Sequence, residues 1–232
     1  MNKSGKVFRV IAIIFIGLTA AMNLLGGAGT SCAAFSNSVA YRLAFRDLLD
    51  YRWLYQGLVI TTVIIGLVGI WATIKLVRGG PSVYRNALIV LVIGSILGGI
   101  QYYASLTLRG AAAPANMKFY INAITLIYFL ILGIPSIREK VDFSSMGNDK
   151  AEKAAVSGMA AILAGTVILT VFTWAGPSHT FSGENWVYVF YTPLMVSGTL
   201  LVISGIASLL WSAREVFHQE VVEANLELSE SQ

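Results

Sequence analysis

The chain is poor in cysteine, histidine and charge, and each shortage excludes a class of protein. Its single cysteine excludes an internal disulfide and a CxxC redox pair. Its two histidines lie in a loop and in the C-terminal tail, which argues against a bis-histidine haem. Charged residues are only 12% of the chain, whereas soluble domains typically have about 25%. Because no P-loop and no HExxH motif is present either, the sequence predicts no cofactor. The net charge of +4 does not indicate a nucleic-acid partner, because the basic residues cluster at the ends of long apolar stretches.

Six stretches are long, apolar and free of charged residues. Each has 18 to 25 residues, which is enough to cross about 30 Å of hydrocarbon as an α-helix. They are Val10–Gly27, Trp53–Ile74, Ala87–Leu108, Phe119–Ile137, Ala154–Trp174 and Val187–Trp211. We predict an all-α, polytopic integral membrane protein, in which residues 1–212 form one six-transmembrane-helix bundle and residues 213–232 form an acidic cytoplasmic tail.

The basic N-terminus followed by an apolar run is also the pattern of a signal peptide. This run has 18 residues, which is longer than a usual signal core, and five further spans follow it. We therefore expect the first helix to remain uncleaved.

The distribution of basic residues predicts the orientation. With six spans both termini lie on one side, and that side carries 11 Lys and Arg residues against 5 on the other. Because cytoplasmic segments carry the excess of Lys and Arg, we predict a plasma (inner) membrane protein with both termini in the cytoplasm. The predicted outer loops are Ala28–Arg52, Arg109–Lys118 and Ala175–Trp186. The exceptions to the count are Arg42, Arg46 and Arg52 in the first outer loop.

Within the first outer loop, Tyr41–Tyr51 has the pattern of a short amphipathic helix. Its apolar residues share one broad face and its charged residues occupy the rest. The apolar residues are Leu43, Phe45, Leu48 and Leu49. We predict a helix that lies at the membrane surface or caps the bundle.

No ionisable side chain lies inside any of the six spans with these bounds, and Lys118 stands directly before the fourth. Intramembrane ionisable residues are the usual mark of proton relays and ion-coupled transport. Their absence argues against a proton-driven pump or antiporter.

Four amide side chains fall toward the predicted outer half of their spans: Asn23, Gln56, Gln101 and Asn122. An amide without a partner in hydrocarbon costs several kcal/mol, so we expect these groups to meet in one polar patch. The patch either holds the helices together or, with His179, lines a ligand pocket open to the outside. Pro135 and Pro193 are expected to kink spans four and six.

A metal site is the third use of polar residues that the sequence suggests. Cys32, His179 and Glu184 all lie in predicted outer loops and are of types that bind metals. The alternatives are a cysteine packed under the loop and a histidine on its surface. The glycine-rich run Gly26–Gly29 before Cys32 is expected to break the first helix and to let the backbone approach a neighbour.

Small residues recur at helical spacing in two spans. Gly94 and Gly98 form a GxxxG motif in the third span, and Ser157, Ala161 and Gly165 repeat every four residues in the fifth. Such rows let helix backbones come close, either within one bundle or against a partner or a second copy of the chain.

Three functions follow from these patterns. The first is a non-enzymatic structural, assembly or accessory subunit that packs against a partner in the membrane. The second is a transporter or channel for a small neutral or polar solute that uses an outward-facing, amide-lined pocket. The third is a membrane metal-binding protein or enzyme that uses the outer loops.

Overall fold

The computed structural model describes residues 3–37, 39–111, 115–141, 143, 150–181 and 184–230. In this part of the chain six helices are long and apolar enough to cross a membrane, which confirms the predicted helical fold and supports a multi-pass membrane protein. The helices are α1 Lys3–Phe35, α2 Val39–Ala44, α3 Arg52–Arg78, α4 Val83–Arg109, α5 Ala115–Leu132, α6 Pro135–Arg138, α7 Lys150–Leu169, α8 Val171–Trp174 and α9 Tyr191–Glu230. Three 3-10 helices cover Arg46–Tyr51, Gly176–His179 and Trp186–Phe190, and β1 Thr180–Phe181 pairs antiparallel with β2 Glu184–Asn185.

The first helix is the centre of the bundle. α1 packs against α3, α5 and α7, while α4 packs against α3 and α5. We call α1, α3, α4 and α5 the four-helix body. α9 packs mainly on α7, and we call this pair the α7–α9 hairpin. The end of the bundle at which α1 ends and α3 begins is the first-loop end, and the opposite end is the N-terminal end.

Apolar side chains cover both the inside and the outside of the bundle. The core toward the N-terminal end is built from Ile13, Ile16, Leu76, Leu91 and Phe129. Large aliphatic side chains also face outward on the long helices: Leu67 is 56% exposed, Ile127 57% and Leu200 61%. An apolar surface of this extent is unfavourable in water and favourable in lipid.

The glycine-rich run does not break α1, which contradicts the expectation from the sequence. The helix continues to Phe35, and each of three glycines faces a different neighbour. A Cβ on Gly26 would lie 3.0 Å from Cδ of Lys118, and one on Gly27 would lie 2.7 Å from Cγ2 of Val63. A Cβ on Gly29 would lie 3.3 Å from Nε2 of His179. These glycines serve close packing, because any larger side chain would push a neighbour away.

The two prolines that are predicted to kink spans, Pro135 and Pro193, lie at helix starts. α5 ends at Leu132, and Pro135 begins the separate short helix α6. Pro193 is the third residue of α9, where its missing N–H costs no helical hydrogen bond. Span four is therefore interrupted before α6 and not kinked at Pro135. In span six, Pro193 lies in the first turn of a helix and does not kink it.

The amphipathic segment of the first loop forms two short helices. α2 ends at Ala44 and a 3-10 helix begins at Arg46, so the four apolar residues do not share one face. Leu48 is buried against Ala34 and Tyr55, whereas Leu43 is 71% exposed. Arg52 stabilises the end of α1, because its Nε donates to the Ala34 carbonyl at 2.8 Å and its Nη2 to the Ser36 carbonyl at 3.0 Å.

Candidate functional site

A lysine lies inside the four-helix body. The sequence placed Lys118 in a loop before span four, but α5 begins at Ala115, so Lys118 lies in its first turn and only 2% of it is exposed. The prediction that no ionisable group lies inside a span is therefore wrong for Lys118. The sequence does contain a signal, because Lys118, Asn122 and Thr125 have the spacing of one helical face and all three are buried.

Arg9 is a second charged residue that is buried among the described residues. It lies within α1 and is buried near the N-terminal end of the bundle, where its Nη2 donates to the Leu76 carbonyl at 2.9 Å. This bond ties α1 to the last turns of α3 and fits a cation near a helix C-terminus.

The Lys118 ammonium binds two neutral groups on two other helices. Nζ donates to Oγ1 of Thr62 on α3 at 3.0 Å and to Oε1 of Gln101 on α4. Gln101 in turn donates to Oγ1 of Thr30 on α1 at 2.9 Å. An ammonium has three donors, and two are used here. Within the residues that the structure describes, no carboxylate pairs with Lys118.

A second polar layer lies one turn further along α5. Asn23 and Asn122 exchange two hydrogen bonds, of 3.3 and 3.2 Å, and both side chains are buried. Asn23 also donates to the Thr19 carbonyl at 3.0 Å, and Asn122 to the Lys118 carbonyl at 2.9 Å. Because both amides are paired, this layer links α1 to α5 without an unsatisfied donor.

The remaining predicted amide lies apart from these layers. Gln56 donates to the Ala34 carbonyl at 3.2 Å, near Arg52 at the first-loop end. The structure thus brings Asn23 to Asn122 and Gln101 to Lys118, but it does not bring the four amides into one patch. None of the four lines either of the two cavities described below.

A cavity of about 240 Å³ lies at the first-loop end, between α1, α8 and the start of α9. We call it the Lys118 cavity, because Lys118 lines it beside Gly26. Most of its other walls are apolar: Met22, Leu25, Trp174, Val187, Phe190 and Leu194. A mainly apolar pocket with one cationic residue in its wall is suited to an apolar ligand that carries a negative charge.

His179 also lines this cavity, on the side that faces Gly29. Its Nδ1 lies 2.9 Å from the Ala175 carbonyl, which can only accept, so Nδ1 carries the proton in that bond. The bond fixes the ring orientation and turns Nε2 toward α1. Of the residues of the predicted ligand site, His179 lines the Lys118 cavity.

The predicted metal site stays a prediction. The side chains of Cys32 and Glu184 lie outside the described part of the structure. Among the described residues, no group of three or more His, Cys, Asp or Glu is placed to hold a metal ion.

The small residues that were predicted to pack helices lie in three settings. A Cβ on Gly94 would overlap Oδ1 of Asn122, and one on Gly98 would lie 3.3 Å from Cα of Phe119. A Cβ on Gly165 would lie 2.7 Å from the Gly198 carbonyl in the α7–α9 hairpin. Ser157 and Ala161 instead line an apolar groove of about 750 Å³ between the hairpin and helices α1 and α3, which we call the lateral groove.

No known family model, curated protein or solved structure matches this chain. Its function is therefore inferred from the buried lysine, the cavity beside it and the distribution of charge.

Proposed function

We propose that this protein is a non-enzymatic, multi-pass protein of the plasma membrane that binds an anionic amphiphile in the Lys118 cavity. The observation that carries the proposal is a lysine buried inside a helix that is long and apolar enough to span a membrane. This lysine has two neutral partners and no described carboxylate, and it lies in the wall of an apolar cavity. An ionisable residue at such a position marks a functional site by default, because burying its charge is costly.

A bound anion offsets the cost of burying the ammonium. At about 4 Å and an effective dielectric constant of about 20, opposite charges attract by ~4 kcal/mol. The amide of Gln101 and the hydroxyl of Thr62 orient the ammonium but carry no charge. A carboxylate or phosphate monoester that reaches the third N–H supplies the missing counter-charge. Gly26 makes room for the lysine stem at the cavity wall, because a Cβ there would lie 3.0 Å from Cδ of Lys118.

The cavity walls favour a ligand with an apolar body. Leu25, Phe190 and Leu194 offer no donors or acceptors from their side chains, so a small hydrophilic anion would lose its hydration without replacement. A fatty carboxylate satisfies both parts of the site. The predicted amide-lined pocket for a neutral solute is replaced in this proposal by the Lys118 cavity.

The cavity faces the outside if both termini are cytoplasmic. Leaving out Lys118 and Arg9, which the structure buries in helices, the Lys and Arg count is 10 on the side of the termini and 4 on the other. One of those four is Arg52, which stabilises the end of α1. The excess of basic residues on the side of the termini supports the cytoplasmic orientation.

The test compares ligands that differ only in charge. Binding of dodecanoate, dodecanol and dodecyltrimethylammonium to the protein in lipid nanodiscs is measured by calorimetry. We expect dodecanoate to bind tightest and Lys118→Met to weaken it at least tenfold, which is about 1.4 kcal/mol. Dodecanol binding is expected to stay unchanged.

Lys75→Met is the matched control, because Lys75 is exposed in the last turn of α3, at the N-terminal end of the bundle, and its ammonium lies over Trp71. It is expected to change dodecanoate binding less than twofold. If wild type binds the three ligands equally, or if both variants weaken dodecanoate equally, the proposal is wrong. If Lys118→Met does not fold, the comparison of the three ligands on wild type still tests the proposal.

A second candidate function, the assembly or accessory subunit, is favoured by the length of α9. Ser212 is buried and its Oγ donates to the Ala151 carbonyl at 2.6 Å, yet α9 continues to Glu230. The extension is acidic and about 27 Å long at 1.5 Å per residue. Deleting residues 216–232 is expected to release a stoichiometric partner that co-purifies with wild type in mild detergent. A wild type that purifies as a lone monomer contradicts this candidate.

A further inference from the structure

The lateral groove separates the α7–α9 hairpin from the four-helix body along much of its length. Its walls are small and apolar side chains of α1, α3 and α7, among them Gly17, Ala20, Ala161 and Ala164. The helices touch at Gly17, where a Cβ would lie 3.7 Å from Cβ of Ala160. Small residues on facing helices therefore leave a space that no described side chain fills.

One end of this groove is cationic. Arg78, the last residue of α3, lines the groove at the N-terminal end and is exposed. Lys75 lies one turn before it on the same helix. In the ranges that the structure describes, no carboxylate forms an ion pair with Arg78. The groove thus combines an apolar length with a guanidinium at the level of a helix end.

We propose that the lateral groove binds an anionic phospholipid, with one acyl chain along the groove and the phosphate at Arg78. The charge complementarity between Arg78 and a head group with a net negative charge selects this occupant over a zwitterionic or neutral lipid. Guanidinium binds phosphate oxygens through two parallel N–H donors, and basic pockets between transmembrane helices on the cytoplasmic side bind anionic head groups. The charged end of this groove, at Arg78, lies at the opposite end of the bundle from Lys118.

The test measures how lipids stabilise the purified protein in a neutral detergent. The thermal midpoint is followed while dioleoylphosphatidylglycerol, dioleoylphosphatidylcholine or glycerol 3-phosphate is added. We expect phosphatidylglycerol to stabilise wild type most and glycerol 3-phosphate to have no effect. Arg78→Gln is expected to raise the phosphatidylglycerol concentration needed for half of the effect at least fivefold.

Arg85→Gln is the control for charge, because Arg85 is exposed at the start of α4, at the same end of the bundle. It is expected to leave the phosphatidylglycerol effect within twofold of wild type. Equal losses in Arg78→Gln and Arg85→Gln would show general attraction of an anionic lipid to a basic surface and would overturn the proposal. Equal effects of phosphatidylglycerol and glycerol 3-phosphate would overturn it as well, because the groove would then have no role.

A second variant tests the groove without touching its charge. Ala161→Phe fills the space, and Ala207→Phe adds the same ring on the exposed face of α9. Only Ala161→Phe is expected to reduce phosphatidylglycerol stabilisation, again at least fivefold. If neither changes it, the acyl chain does not lie in the groove. Dodecanoate binding in Arg78→Gln is expected to equal that of wild type, which separates this site from the Lys118 cavity.

Discussion

Polar side chains inside the four-helix body bind one another. Lys118 is among them, although the sequence predicts that it lies in a loop. A span that is defined by the absence of charge cannot include Lys118, so the fourth span is predicted to begin at Phe119. The spacing of apolar residues does not show whether neighbouring helices supply hydrogen-bond partners to a buried charge. Thr62 and Gln101, which receive the ammonium, lie 56 and 17 residues away in sequence, so their proximity depends on the fold.

The amides show what composition predicts at the residue scale and what it does not. That Asn23 and Asn122 need partners follows from the cost of an unsatisfied amide in hydrocarbon. That they choose each other, while Gln56 donates to the Ala34 carbonyl, follows only from helix positions. The sequence predicts that the four amides lie at a similar depth in the membrane, and residues at the same depth need not be in contact.

The first prediction concerns Gly94, which lies against this amide pair. Gly94→Ala places a Cβ that overlaps Oδ1 of Asn122, so the pair must shift. We expect a loss of about 1–3 kcal/mol in the free energy of unfolding, measured by SDS titration in mixed micelles. Gly57→Ala is the control, because a Cβ there meets nothing within 4 Å. It is expected to be neutral or to stabilise by up to about 1 kcal/mol. Equal effects of the two substitutions would contradict the packing described here.

At the scale of elements, glycines join α7 to α9. A Cβ on Gly158 would lie 2.6 Å from the Gly205 carbonyl, and one on Gly205 would lie 2.6 Å from the Gly158 carbonyl. Gly165 and Gly198 form the same kind of contact nearer the first-loop end. The row of small residues in span five thus divides by face. Gly165 serves the hairpin, whereas Ser157 and Ala161 face the lateral groove.

The second prediction tests this contact. Gly205→Val must separate the two backbones, and we expect a loss of about 1–3 kcal/mol in stability, seen as a lower thermal midpoint in detergent. Ala207→Val adds a branched side chain to the exposed face of α9 and is expected to have a small effect. A Gly205→Val midpoint equal to that of Ala207→Val would show that the hairpin does not depend on this close approach.

Helix existence was predictable from the sequence, and helix ends were less so. All six long apolar runs are helices, because their length and composition leave few alternatives in lipid. The helix ends differ from the predicted ones where packing between helices overrides a local sequence preference. Three glycines stay helical in α1 because neighbours occupy their open side, and Pro135 starts a new helix after α5 has ended.

At the scale of the whole molecule, the Lys118 cavity and the lateral groove follow the same side of α1. They share four lining residues, Leu25, Ala28, Leu194 and Ser197. Together they form a mostly apolar surface between the four-helix body and the α7–α9 hairpin, with Lys118 toward one end and Arg78 at the other. The sequence showed the small residues of this surface but not the space that they leave between α1, α3 and the α7–α9 hairpin.

The third prediction is the orientation of the chain. Single cysteines are introduced at Leu43 in α2 and at Ser136 in α6, which are exposed at opposite ends of the bundle, in a Cys32→Ser background. With both termini in the cytoplasm, a membrane-impermeant maleimide labels Leu43→Cys in intact cells. It labels Ser136→Cys only after the membrane is permeabilised. The reverse pattern would place the Lys118 cavity on the cytoplasmic side.

The most direct test of the central claim measures contact between the ligand and the buried lysine. Solid-state NMR reports the coupling between carboxyl carbon-13 of dodecanoate and side-chain nitrogen-15 of lysine in nanodiscs. We expect one close pair, at ~4 Å or less, that is lost in Lys118→Met and kept in Lys75→Met. Bound dodecanoate with no such coupling, or a coupling that survives Lys118→Met, would contradict it.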